Sequence, residues 1–151
     1  MSVAARLTEL GIVLPNPPAP VAAYVPFVRA GNLLFISGQI PTVAGKVQYT
    51  GKLGDTVNLA DGQAAARLCA INLLAQAQAA VGLDAVVRVV KLTGFVACVP
   101  EFTEHPQVIN AASELLQTVF GESGRHARAA VGAPSLPLDS SVEIEAVFAV
   151  V

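Results

Sequence analysis

Between Asn58 and Gly121 the apolar pattern of the chain switches from helical to strand-like and back, and each helical stretch closes on a glycine. Such a pattern is satisfied by helices laid on a sheet. Asn58, with Asp61 three residues on, reads as a capping box opening an alanine-rich helix that runs to about Val81 before Gly82. Its expected buried row is Leu68, Ile71, Ala75 and Ala79, and so many alanines let it lie close against a sheet. Val86 to Val99 carries apolar residues on both faces, Val86, Val90, Leu92 and Val96 against Val87, Val89, Phe95 and Val99. That predicts a strand buried on both sides. A second helix is expected from near Pro106 to Phe120 before Gly121, buried along Val108, Ala112, Leu115 or Leu116, and Val119.

The flanks supply the remaining strands. Ser2 caps a short helix through Leu10, with Val3, Leu7 and Leu10 on one stripe and Gly11 as its stop. Tyr24 to Arg29 and Leu33 to Ser37 form a hairpin turning at Gly31 and Asn32, and Ser37-Gly38-Gln39 ends its second strand. Pro41 to Thr56 is mainly loop, with a short strand at Lys46 to Tyr49. Two more strands, about Ala127 to Val131 and Val142 to Val150, flank a proline-containing loop. The expected fold is α+β: one domain over residues 1–151, with a helix and proline-rich lead-in over 1–20 and two long helices on one face of a mixed sheet.

Composition says what the other face must do. The chain is 54% apolar and 13% charged, against typical values of about 45–50% and 25%, so more apolar surface is present than one small domain hides. Self-association is the expectation. Net charge is −2 and the nine Lys and Arg are scattered, which sets aside nonspecific nucleic-acid binding. Gly11 to Val28 is free of charge, but Pro15, Pro17, Pro18, Pro20 and Pro26 forbid a membrane-spanning helix there. Met1 to Leu10 has no continuous apolar core of a signal peptide, so a cytoplasmic location is expected.

Several chemistries lack their residues. Cys69 and Cys98 form neither a metal spacing nor a disulfide framework and read as reduced core residues. His105 and His126 have no His, Cys or Asp at ligand spacing, so no metal and no catalytic triad is expected. His126, two residues before Arg128, would share its strand face, as a surface histidine or a neighbour of a site. There is no Gly-x-Gly-x-x-Gly and no P-loop, and Gly-Glu-Ser-Gly around Ser123 lacks the setting of a nucleophile elbow. No cofactor is implied.

What remains is Arg128, fifteen residues ahead of Glu143. A guanidinium followed by Ala-Ala-Val needs an anionic partner, either a protein carboxylate or a small acidic ligand. Glu143 and Glu145 share one side of the last strand, opposite Val142, Ile144, Ala146 and Phe148, which by itself describes a solvated face. Tyr24, Ser37 and Asn110 interrupt apolar stretches with a phenol, a hydroxyl and an amide, groups able to orient a carboxylate or a water.

Together Tyr24, Ser37-Gly38-Gln39-Ile40-Pro41, Asn110-Ala111, Arg128, Leu136-Pro137 and Val142-Glu143-Ile144-Glu145 resemble the Rid/YjgF family of enamine and imine deaminases, formerly the L-PSP endoribonuclease family. The resemblance covers about Pro20 to Val150. It implies a chorismate-mutase-like subunit in a homotrimer around a β-barrel, with clefts between neighbouring subunits. By the same resemblance Arg128 holds a substrate carboxylate and Glu143 positions water at an imine carbon. Tyr24, Ser37, Asn110 and the backbone at Ala130 would line the cleft, with the Tyr24 side and the Arg128 side able to come from different chains. The implied reaction converts 2-aminoacrylate or 2-imino acids to 2-oxo acids and ammonia, and the alternative is a noncatalytic protein that binds or senses a small carboxylate. Ala130 stands where the archetypal deaminases commonly have Cys, and the amino-terminal helix and the Cys98 to Phe102 region suggest a divergent subgroup.

Overall fold

Capping chemistry sets the helix ends. In the computed structural model, which describes residues 1–17, 20 and 22–151, Ser2 Oγ accepts from the Ala5 amide at 3.1 Å and opens α1 (Val3–Glu9). Asn58 Oδ1 accepts from the Asp61 amide at 2.8 Å and opens α2 (Leu59–Val81), which stops at Gly82 with φ 79°. α3 (His105–Phe120) has Pro106 in its first turn and stops at Gly121 with φ 65°. Positive φ is nearly free for glycine and costs other residues strain, which is why the helices end there. Arg6 donates to the Val119 carbonyl at 2.8 Å and ties α1 to the end of α3. Pro18 of the lead-in lies outside the described residues.

The strands are β1 (Phe27–Ala30), β2 (Leu33–Gln39), β5 (Val86–Ala97), β6 (Ala127–Ala133) and β7 (Val142–Val150), in the order β1-β2-β7-β5-β6. Only β5 and β6 pair in parallel, so the sheet is mixed. The loop expected over Pro41 to Thr56 contains a second small sheet, β3 (Thr42–Val43) with β4 (Lys46–Val47), turning at Ala44 and Gly45, both at positive φ. The sequence reading found only its second strand, because two-residue strands are too short to show a period.

All three helices lie with the core on one side of the sheet. Val142, Ile144, Ala146, Phe148 and Val150 of β7 are buried beneath them. Two expectations need correction. The buried face of α2 includes Ala65, Ala66, Cys69, Ala70, Leu73, Leu74, Ala75 and Ala77, so of the expected row Ala75 is buried, whereas Leu68 and Ile71 are half-buried and Ala79 is exposed. With alanine nearly everywhere, composition cannot mark which side of this helix packs. The strand β5 is not buried on both sides: register shifts at Val87 and Val90 move Val89 onto the face of Leu92 and Val96, and leave Val87 and Arg88 exposed. A β-bulge adds one residue and so reverses every later side chain, which an alternating pattern cannot reveal.

α2, 23 residues long, has the length and apolar composition of a membrane span, with mean hydropathy 1.2 over an 18-residue window. It is packed as a core helix instead, and its inward Asn72 donates to the Ile40 carbonyl at 3.1 Å and to Thr42 Oγ1 at 3.0 Å. The opposite sheet face keeps apolar side chains in the open. Val28 is 52% exposed and Phe35 44%, joined there by Val131.

α3 approaches the sheet over Gly94 of β5, where a Cβ would sit 2.5 Å from Ile109 Cδ1 and 2.6 Å from its Cγ1. Substituting Gly94→Ala must therefore push α3 outward, destabilising the protein by about 1–3 kcal/mol. Thermal unfolding of the variant checks this, and an unchanged midpoint would show that the helix has room to spare.

Candidate active site

The Ser37-Gly38 pair is a bulge. Ile36 pairs with Ala146 and Gln39 with Ile144, so Ser37 and Gly38 share the single position opposite Glu145. Bulges re-aim side chains and commonly sit beside sites. Here the Ser37 hydroxyl donates to the Val25 carbonyl at 2.8 Å and the Ser37 amide to the Pro26 carbonyl at 2.9 Å, which fastens the segment carrying Tyr24 to β2. Beside them opens a cleft of about 270 Å³ lined by Tyr24, Ser37, Gly38, Ile40 and Leu138 among others. A Cβ on Gly38 would lie 2.9 Å from Glu143 Cδ, so only a glycine lets that carboxylate lie against β2.

Glu143 and Glu145 do share one side of β7, as expected, but their surroundings differ. Glu145 is exposed, while Glu143 is half-buried, and burial first and the neighbouring Glu145 second push its carboxyl above the usual carboxylate range. Both effects penalise the charged form, so Glu143 takes up a proton more readily than a solvated carboxylate does.

Arg128 sits elsewhere. It pairs in register with Leu92, on the helix-covered face, and its guanidinium donates through one nitrogen to Asn110 Oδ1 at 2.8 Å and Ser113 Oγ at 3.2 Å. Both partners belong to α3, one helical turn apart. Among the described residues no carboxylate pairs with Arg128. Of the two partners the sequence allowed, a protein carboxylate is therefore not supplied by this chain. Ala130 follows on the same face of β6, opposite Gly94.

His126 completes the support. One ring nitrogen meets the Gly124 carbonyl at 2.7 Å and must donate, leaving the other to accept from Ser113 Oγ at 2.9 Å. Burial, and to a lesser degree the Arg128 charge, lower the imidazole pKa against the Gly124 hydrogen bond that raises it. The chain of contacts from Gly124 through His126 and Ser113 to Arg128 fixes the arginine with neutral partners. So His126 is a neighbour of the site, half-buried, and Ser113, His126, Gly38 and Leu138 join the residues singled out by sequence. His126 and Gly38 were already marked in the sequence, by spacing to Arg128 and by the Ser37-Gly38 motif, and Ser113 could have been found three residues past Asn110 on one helix.

Within one chain the candidates fall into two groups. Tyr24, Ser37 and Glu143 belong to the β2–β7 side, and Arg128, Asn110 and Ala130 to the β6 edge. Phe95, the partner of Glu143, and Leu92, the partner of Arg128, point to opposite faces of β5. Glu143 and Arg128 thus lie on opposite sides of the sheet and two strands apart, roughly 10 Å by strand spacing alone. Among the described residues, neither of the two lines the cleft beside Ser37.

Two titrations follow. The fold depresses the pKa of His126, so its contribution to stability is full above the ordinary imidazole value of 6.5 and is lost as pH falls through the folded value. The fold raises that of Glu143, so its contribution is full below the ordinary carboxylate value of 4.5 and is lost as pH rises through the folded value. Unfolding followed against pH is expected to show the acid-side loss abolished in His126→Gln and the loss above 4.5 abolished in Glu143→Gln, and unchanged profiles would contradict the assignments.

Comparison with known proteins bears on the family of the chain. Residues 4–150 match the family model described as "YjgF/chorismate mutase-like, putative endoribonuclease". Protein TCP17 of Trypanosoma cruzi is 50% identical over 146 residues, covering 95% of this chain and 91% of its own. The crystal structure of Atu1372 from Agrobacterium tumefaciens, a protein of unknown function, superposes with TM-score 0.93 at 53% identity, over 99% of this chain and 92% of that one. TdcF of Escherichia coli, solved with bound serine, superposes with TM-score 0.65 at 26% identity, over 89% and 93%. With a family model spanning nearly its whole length, the chain belongs to the YjgF/chorismate mutase-like family.

Proposed function

We propose that this protein is a homotrimeric hydrolase that converts 2-imino acids, and the enamines that tautomerise to them, to 2-oxo acids and ammonia. The observation that carries the reading is the state of Arg128: half-buried, held by neutral partners and lacking a carboxylate among the described residues. Such a guanidinium is prepared for a planar anion, to which it offers two parallel hydrogen bonds. The serine bound to E. coli TdcF is a small amino-acid ligand of the same kind. Because Glu143 stands across the sheet, each cleft would join Arg128, Asn110 and Ala130 of one subunit to Tyr24, Ser37, Gly38 and Glu143 of the next. The exposed Val28, Phe35 and Val131 supply apolar surface for such assembly.

In this reading Arg128 holds the carboxylate and so places the adjacent C=N carbon beside a water held by Glu143. An enamine substrate first gains a proton at its terminal carbon. The water oxygen then bonds to the imine carbon as Glu143 removes a proton from it, and the nitrogen is protonated to give a carbinolamine. Transfer of the remaining hydroxyl proton to the nitrogen then restores C=O as the C–N bond breaks and ammonia leaves. A carboxyl group whose surroundings raise its pKa serves this shuttling better than a fully solvated one.

The test is release of ammonia from freshly generated 2-iminopropionate and bulkier imino acids, followed by suppression of semicarbazone formation. Arg128→Ala is expected to lower kcat/KM about a hundredfold or more by losing position, and Glu143→Gln to lower kcat by about 10²–10⁴ while retaining ligand. Mixed trimers of the two variants test the shared cleft. Random assembly would leave about a quarter of the clefts with both native groups, so measurable activity returns only if they come from different chains. A folded trimer that binds small carboxylates through Arg128 without turning over any imine would establish a sensing role instead.

A further inference from the structure

Past Arg128, where β5 and β6 end and α3 begins, lies a second cavity of about 410 Å³. It is lined by Lys52, Cys98, Phe102, His105, Gly132 and Pro134 among others. Cys98, expected in the core, is half-buried at its edge, and its Sγ lies 3.4 Å from His105 Nε2. The imidazole stands edge-on to Phe102, with ring centroids 5.4 Å apart. A Cβ on Gly132 would come within 2.7 Å of His105 Nε2 and 2.9 Å of Cys98 Sγ. Gly132 does not adopt positive φ, so what glycine provides here is space, and the space is filled by the meeting of thiol and imidazole.

We propose that Cys98, with His105 as its base, is a nucleophilic site for small α,β-unsaturated carboxylates. The sulfur bonds to the β-carbon as the thiol proton passes to His105 Nε2, the resulting enolate takes that proton at its α-carbon, and a thioether is left with His105 neutral again. Burial holds the resting thiol protonated while a backbone hydrogen bond at Ala133 favours the ionised sulfur, which suits transfer of the proton during attack rather than before it. Lys52 gives the cavity a cation for the carboxylate, and Val99, Phe102 and Pro134 give it apolar walls. Other thiol chemistries have less support. Cys69 is fully buried on α2 and cannot resolve a disulfide, and among the described residues no third ligand stands with the pair to hold a metal. Addition to a conjugated double bond requires neither a leaving group nor a co-reactant. The inference does not depend on imine hydrolysis.

The experiment exposes the native protein to acrylate and, separately, to neutral acrylamide, and follows intact mass and the modified peptide. One adduct is expected, at Cys98, forming faster than on a free cysteine derivative at the same pH and slowed about a hundredfold by His105→Gln, the range of general-base catalysis. Lys52→Met should slow acrylate and leave acrylamide unchanged. Labelling of the buried Cys69 reports unfolded molecules, and the comparison of native Cys98 with the free thiol needs no variant. A native rate no greater than that of the free thiol, or a folded His105→Gln protein that reacts as fast as wild type, would overturn the proposal.

Discussion

Close approach of helix to sheet is the constraint on which the rest depends. α3 can seat Ile109 against β5 because Gly94 offers no side chain, and α2 lies low because its buried face is rich in alanine. Dispersion and apolar burial act only at contact, so small residues at the crossing convert two amphipathic helices into one core. The same approach brings Asn110 and Ser113 down to Arg128 on β6. The position of the guanidinium is thus a consequence of packing, reinforced by hydrogen bonds to neutral groups.

Asymmetry of the sheet has the second large effect. One face carries the helices and the buried side of β7, and the other carries Glu143, Glu145 and exposed apolar side chains. Under the proposed function, Arg128 and Glu143 would be split by the sheet and could not act together within one chain, so the proposed active unit is larger than the chain. In that proposal the apolar excess of the composition and the separation of Arg128 from Glu143 share one explanation, since the exposed apolar face is also the face that carries Glu143.

Much of this was legible in the residues. The helix limits at Gly82 and Gly121, the caps at Ser2 and Asn58, and the hairpin at Gly31-Asn32 are local matters, decided by φ and by the hydrogen bonds of a few neighbouring groups. Arg128 and Glu143 stood out because charge is scarce in this chain. By contrast, the bulges at Val87, Val90 and Ser37-Gly38 change which face a residue occupies without changing the pattern of letters. The buried face of α2 was misread for a related reason, because alanine fits either side.

What the sequence alone determined is therefore the order of elements, their ends, the surplus of apolar surface and the residue types available for chemistry. Only the tertiary structure decided that Cys98 meets His105 over Gly132, that His126 supports Arg128 through Ser113, and that Glu143 and Arg128 lie on opposite faces. The reason is physical: caps and turns depend on groups within a few residues of one another. Contacts between side chains far apart in the chain depend on register and helix depth, which are settled only when the whole core packs at once.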